Sequence, residues 1–316
     1  MEVDERAVEI LNDIKKYQSI VICGHVDPDG DCVGSRLGLK TILKDNFPEK
    51  KIYVLGSTPD NLKDIAEKSD EVASEVIKES LILLVDLSDL SRAEFQEIRN
   101  GAKIDIIDHH IPSPGVENIL AYRLVDAPSA TFVIFDFATQ TGLEISQKAA
   151  AYLYLGLITD TDRFLLDSKV DTFKMAISLI DCGVNPQDLY SKLYVPSEAS
   201  LKFKAFVYSS YRFTDSTCYL VVKKDDYLSL GLSSNDIANE VSLLAGLGKK
   251  RYQAFFVERE NDRVRTELRS DGSRDVEKIA SHFSGGGHYA ASGCQLDELA
   301  DYKKVLAYID EVEKDN

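Results

Sequence analysis

The stretch Ser19-Ile20-Val21-Ile22-Cys23-Gly24-His25-Val26-Asp27-Pro28-Asp29-Gly30-Asp31 decides the fold. Its first five residues form an apolar run that reads as a short buried strand, and a loop rich in His and Asp follows directly. From residue 32 to 43 the apolar spacing turns helical, as it is over residues 3–16. The same order recurs downstream. Residues 52–55 read as a strand, and Leu81-Ile82-Leu83-Leu84-Val85 as another, ending at Asp86. A helix is expected around residues 92–99, then a strand over 104–107 that ends at Asp108, and helices dominate residues 129–182. Near-continuous apolar strands alternating with helices imply an α/β domain whose parallel sheet is covered by helices on both faces. The carboxyl ends of such strands share one edge, where open sheets of this kind bind ligands. The His25 loop, Asp86 and Asp108-His109-His110 therefore converge without further assumption.

All five histidines sit in chemically loaded segments: His25 in the first loop, His109 and His110 after Asp108, and His282 shortly before Gly285-Gly286-Gly287-His288. Neutral imidazole with carboxylate is the ligand set of divalent transition metals such as manganese. His25, Asp29, Asp31, Asp86, His109 and Asp160, the last closing an apolar helical run, make six candidate ligands. That number suffices for two divalent ions sharing a bridging carboxylate, the arrangement that stabilises entering and leaving oxygens in phosphoryl transfer. Manganese is the expected ion, with magnesium or cobalt as alternatives. Taken singly, Asp86 or Asp160 reads as a cap or turn former; the conjunction of motifs in one order carries the metal reading. Cys23 and Cys32 flank the first segment and read as small apolar fillers, with a thiolate ligand conceivable.

Composition narrows the class. The chain has 316 residues, which favours two domains, and its apolar fraction of 44% is that of an ordinary globular protein. Five cysteines without a Cys-x-x-Cys pair argue against a disulfide framework. A net charge of −16 argues against nonspecific binding of long nucleic acid, while a short oligonucleotide could still be held by local arginines. With neither a membrane-length apolar run nor a secretory pattern at the start, the expected location is the cytoplasm, with no membrane contact.

The expected division is a catalytic domain over residues 1–185, a linker over 186–200 that contains Pro186 and Pro196, and a smaller α/β domain over 201–316. Strands are expected at 217–222, 252–257 and 264–268, with a helix at 275–283. Period-two alternation puts Arg263, Arg265, Glu267 and Arg269 on one face of the third strand. Arginine forks suit phosphate oxygens. Three consecutive glycines let backbone N–H groups approach a ligand, and His288 adds a polar or stacking contact. The competing reading is a solvated strand face followed by a glycine turn.

Asp108-His109-His110 resembles the signature of the DHH phosphoesterases. His25-x₃-Asp29-x-Asp31, Asp86 and Asp160 resemble their other motifs, and Gly285-Gly286-Gly287-His288-x₃-Ala291-Ser292-Gly293 resembles the hallmark of the DHHA1 domain. The likeness covers nearly the whole chain. It implies that His25 and Asp29 hold one manganese, that Asp31, His109 and Asp160 hold the other, and that Asp86 bridges. It implies that His110 contacts the scissile phosphate or protonates the leaving oxygen while Asp108 orients a histidine. Arg265, Arg269, Ser270, Gly285, Gly286, Gly287 and His288 would bind the nucleotide, facing the metals across an interdomain cleft. Relatives vary at Asp27, and Cys32 stands where Ser or Ala is common.

The activity implied is that of the nanoRNase type: hydrolysis of short oligoribonucleotides, including pApA- and pGpG-type dinucleotides, and of nucleoside 3′,5′-bisphosphate (pAp), by a hydroxide that two metal ions activate. Alternatives are a cyclic dinucleotide phosphodiesterase, an inorganic pyrophosphatase or exopolyphosphatase, and a nucleotide sensor without turnover. The pyrophosphatases use a second domain that lacks the Gly-Gly-Gly-His loop, and a sensor would need a damaged ligand set. A homodimer is left open.

Overall fold

The computed structural model describes residues 3–314 except 88 and 114, and all side chains of these but that of residue 239. The chain divides into two units, Met1–Val195 and Pro196–Asn316. The first opens with α1 (Glu5–Lys16), β1 (Ser19–Cys23), α2 (Gly30–Asn46) and β2 (Lys51–Val54). It continues through α3 (Ser74–Glu79), β3 (Leu81–Val85), β4 (Lys103–Asp108) and β5 (Leu120–Arg123), and ends in α4 (Ala130–Thr141), α5 (Gln147–Asp160), α6 (Val170–Asp181) and α7 (Pro186–Leu193). The five strands form one parallel sheet in the order β2-β1-β3-β4-β5. The chain leaves β1 toward β2 on one side and resumes at β3 on the other, so the carboxyl ends of β1 and β3 flank the topological switch point. His25 and Asp86 follow those two strands.

Alternation along the strands builds two cores. Ile20, Ile22, Leu81, Leu83 and Val85 face a thick layer of α1, α2, α4, α5 and α6. Val21, Cys23, Ile82 and Leu84 face a thinner cover of Ile77, Leu87, Ala93, Ile98 and Val116. Here the expectation of a helix at residues 92–99 fails. The segment forms two short 3₁₀ turns, Leu90–Arg92 and Gln96–Asn100. The backbone between and at their edges is spent on the site loop: Val26 N–H donates to Arg92 O at 2.8 Å, Glu94 N–H to Gly24 O at 3.2 Å, and His25 bridges Ala93. A residue pairing sideways with another strand-like segment cannot also sit in an α-helix, and the pairing pins the backbone of His25.

α2 lies against α5 with little between them. A Cβ on Gly34 would lie 2.5 Å from the Tyr152 carbonyl oxygen and 2.9 Å from Gly156 N, so the helices approach backbone to backbone. This brings Asp31, near the start of α2, beside Asp160, the last residue of α5.

The second unit holds α8 (Glu198–Ser210), β6 (Arg212–Phe213), β7 (Thr217–Val222), α9 (Lys224–Leu228), α10 (Ser234–Ile237), β8 (Tyr252–Glu258) and β9 (Val264–Ser270). α11 (Val276–His282), β10 (Gly286–His288), β11 (Ala291–Leu296) and α12 (Tyr302–Lys314) complete it. Its sheet runs β10-β11-β9-β8-β7-β6, with β7 and β8 parallel and the other pairs antiparallel. Ala254 and Phe256 face a core with α11 and α12, whereas Phe255 and Val257 face one with α8. The segment 186–200 carries α7 and the start of α8, and the units divide between Val195 and Pro196.

Candidate metal centre and nucleotide-binding strand

The site of the first unit is built from chain breaks at strand ends. Asp29 caps α2: its Oδ1 accepts from the N–H groups of Asp31 and Cys32, both at 3.0 Å. Asp31, the second residue of α2, is buried, and its two oxygens accept from Ala130 N–H at 2.6 Å and Thr131 N–H at 3.0 Å, the first amides of α4. One carboxylate thus ties α2 to the positive end of α4. Asp86 directly follows β3 with φ of 55°, a left-handed conformation that Asp tolerates better than most residues. Its Oδ2 lies 3.2 Å from His25 Nε2, and its Oδ1 3.6 Å from both His109 Nε2 and His110 Nδ1. Asp86 therefore addresses a different histidine with each oxygen.

The tautomers follow from the backbone. His25 Nδ1 is 2.8 Å from Val26 O and His109 Nδ1 is 3.2 Å from Ala127 O. A carbonyl only accepts, so each Nδ1 carries a proton and each Nε2 is left to face the carboxylates, where it donates to Asp86 when protonated and would ligate a cation when not. His109 Nε2 also lies 3.9 Å from Asp31 Oδ2 and 3.7 Å from Asp160 Oδ2. Asp108 is fully buried: Oδ1 accepts from Leu87 N–H at 3.1 Å and His110 Nδ1 at 2.9 Å, and Oδ2 from Arg123 Nε at 3.0 Å. It fixes His110 and directs the second ring nitrogen away from itself. After Asp160, Asp162, Arg163 and Phe164 have φ of 41°, 60° and 69°. Strain of this kind costs of order 1–3 kcal/mol per residue and collects at functional sites; here it holds the turn that ends α5.

The electrostatics describe a site short of cations. Burial first, then the charge of Asp86, push the Asp31 carboxyl up; burial, then Asp31, do the same to Asp160. Burial and Asp86 also raise Asp29. Burial alone would raise Asp86, but hydrogen bonds from His109 and His25 outweigh it and hold the group below the usual carboxylate range. Uncompensated buried carboxylates cost several kcal/mol each. Divalent cations would meet that deficit. Among the described residues, three groups of donors have ligand atoms mutually within 4.8 Å: His25, Cys32 and Asp86; Asp86, His109 and His110; and Asp31, His109 and Asp160. The imidazole and carboxylate set fits divalent cations. Asp29 stands outside these three groups, with one oxygen committed to the cap of α2. Cys32, read from sequence as a filler, stands inside one.

In the second unit Arg265, Glu267 and Arg269 share a face of β9. Glu267 lies between the arginines, 2.5 Å from Arg265 Nε and 3.3 Å from Arg269 Nη1. Ser270 Oγ donates to Arg274 O at 2.7 Å, closing the turn after the strand. Arg274 itself pairs with Glu313 on α12. The three glycines have different reasons to be glycine. A Cβ at Gly285 would strike the backbone of Gly293 and Cys294, and one at Gly287 would lie 2.7 Å from Ala291 O with φ at 146°. Gly286 would meet nothing within 4 Å, so packing does not require glycine there. His288 is exposed at the end of β10.

The parallel sheet with its His and Asp side chains at the switch point, followed by the mixed sheet with its glycine strand, defines a DHH phosphoesterase. The DHH family, N-terminal domain, matches residues 19–157 and the DHHA1 domain residues 218–315, and the chain belongs to this family. It is 30% identical over 313 residues to the bifunctional oligoribonuclease and PAP phosphatase of Mycoplasma genitalium, covering 95% of this chain and 98% of the relative. To the protein of the same description from Bacillus subtilis it is 29% identical, covering 98% and 99%. An exopolyphosphatase-related protein from Bacteroides fragilis has the same fold, with a TM-score of 0.88 at 23% identity over 99% of this chain and 98% of that one.

Proposed function

We propose that this chain hydrolyses short oligoribonucleotides, including pApA-type dinucleotides, and pAp, using two divalent ions, manganese in the first instance. The observation that carries the reading is the match through both domains, end to end, to relatives described as bifunctional oligoribonuclease and PAP phosphatase. His25, Asp86, His109, Asp31 and Asp160 would hold the ions, and Asp29, whose charge interacts with those of Asp86 and His25, would complete the set. Bound there, divalent ions supply acidification of a water and neutralisation of phosphoryl charge.

The rest is the work of side chains. His110 donates Nδ1–H to Asp108 and, in its doubly protonated form, gives its Nε2 proton to the leaving oxygen. The Asp108 carboxylate orients the ring and balances that positive charge, and it is itself held by His110, Arg123 and the Leu87 N–H. Arg265 and Arg269, spread by Glu267, receive the far phosphate, and Gly286 allows a nucleotide to approach the β10 backbone. Positioning by these groups contributes to the rate. The reaction takes short substrates because the acidic surface repels a long polyanion.

Product analysis tests the assignment. Purified protein with Mn²⁺ is incubated in parallel with pAp, pApA, cyclic di-AMP and pyrophosphate, with a chelator control. Chelator-sensitive release of AMP from pApA and pAp is expected. Phosphate released from pyrophosphate alone would overturn the proposal.

A further inference from the structure

Donors of unlike softness meet on the two sides of Asp86. On one side His25, Cys32 and Asp86 bring a nitrogen, a sulfur and an oxygen within 4.8 Å of one another. On the other, Asp31, His109 and Asp160 offer oxygen and nitrogen alone. Cys32 is fully buried, and its place is built. It lies on the first turn of α2 with its N–H fixed on the Asp29 carboxylate at 3.0 Å. Gly24 leaves room for the sulfur, since a Cβ at that position would strike Cys32 Sγ. His25 has its Nδ1 on Val26 O, so Nε2 is the nitrogen it presents to Asp86 and the thiol.

Cys, His and Asp are three ligands of a tetrahedral zinc-class site, with metal distances of about 2.3 Å to sulfur and about 2.0–2.2 Å to nitrogen and oxygen. Thiolate selects such soft or borderline ions, whereas a site with two carboxylates and no sulfur suits manganese. We infer that His25, Cys32 and Asp86 form a thiophilic subsite that takes a zinc-class ion through the Cys32 thiolate, while Asp31, His109 and Asp160 form a harder one. This rests on the metal-centre reading above. Binding breaks the Cys32 S–H bond, releases that proton to solvent and forms one metal–sulfur bond, so no oxidant or reductant is involved. The two halves of the centre would then differ in their preferred ion.

Cobalt(II) reports the bond directly, through a thiolate-to-metal charge-transfer band in the near ultraviolet. The full-length protein, stripped of metal, is titrated with Co²⁺ and then challenged with Zn²⁺ or Mn²⁺. The wild type should develop the band with the first equivalent, and Cys23→Ala should keep it. Cys32→Ser should bind cobalt without the band. Zn²⁺ should abolish the band and Mn²⁺ in large excess should leave it. Loss of a ligand should weaken Zn²⁺ binding by at least about 100-fold, against less than about tenfold for Mn²⁺. Cobalt binding by the wild type without the band, or a band that survives in Cys32→Ser, would overturn the inference and leave the metal centre standing. No cobalt binding at all would overturn both.

Discussion

The tightest element of the site is the contact between α2 and α5, and Gly34→Ala tests it. In an exposed helix the change would stabilise by about 1 kcal/mol, because Ala is the better helix former. Here the new methyl would stand 2.5 Å from Tyr152 O and 2.9 Å from Gly156 N, and both are backbone atoms that cannot rotate aside. Relief requires the helices to part by roughly 0.5–1 Å, and overpacking of this kind costs about 1–3 kcal/mol. Against backbone the upper figure applies, so the net loss is about 2 kcal/mol after the propensity gain. For a unit of this size that lowers Tm by about 4–8 °C. Because Asp31 and Asp160 ride on the two helices, their separation grows, and a misplacement near 1 Å costs about 100-fold in rate. Gly38→Ala is the control: its methyl would meet the far end of Leu153, Cδ2 at 2.8 Å, which can swing away. Thermal unfolding by circular dichroism in chelator, with turnover of pApA in Mn²⁺, reads both effects. A Gly34→Ala protein as stable as wild type, with a rate within about twofold, would refute the close-packing argument.

Other consequences are equally open to measurement. Asp105 is fully buried on β4, both carboxylate oxygens without a hydrogen-bond partner among the described residues, and burial pushes its carboxyl up to about 7 despite Lys103 at 3.6 Å. The folded protein then binds more protons than the unfolded chain from the usual carboxylate range up to about pH 7, so stability falls as pH rises through that window. Thermal unfolding of the Mn²⁺-loaded protein from pH 4.5 to 8 should show that fall, about flattened in Asp105→Asn; an unchanged slope would exclude Asp105 as its source. His110→Ala should lower kcat by about 10²–10⁴-fold while metal binding persists, as for a proton donor, and Asp108→Asn should lower kcat less; full activity of His110→Ala would remove it from the reaction. Arg269→Ala removes a charge-assisted contact of about 1.5–3 kcal/mol, which should raise KM about 10–100-fold with a smaller effect on kcat. Gly286→Ala should weaken nucleotide binding with no loss of Tm, and a destabilised variant would show that packing does need that glycine.

Much of the site was legible because strand ends leave a strong mark on sequence. The apolar runs before His25, Asp86 and Asp108 fixed both the strands and the edge on which these residues meet. The alternation that placed Arg265, Glu267 and Arg269 together held for the same reason. What stayed hidden depends on tertiary partners. Asp31 caps α4, a helix about a hundred residues away, and no local pattern announces it. The segment 92–99 has the spacing of a helix but gives its backbone to the His25 loop. Cys32 has the composition of a filler, and only the position of Gly24 and the turn of α2 bring its sulfur to His25. The left-handed turn after Asp160 continues from Asp162 through Arg163 and Phe164, neither of which signals a positive φ as Gly, Asn or Asp would.

Whether Asp86 organises a two-ion centre is decided by metal stoichiometry. Metal-stripped wild type and Asp86→Asn are dialysed against Mn²⁺, and bound metal per chain is determined by elemental analysis alongside turnover of pApA. The account predicts two ions per wild-type chain, and in Asp86→Asn the loss of at least one together with activity. A wild type that turns over pApA with no bound metal, or an Asp86→Asn protein that keeps both ions and full rate, would contradict it.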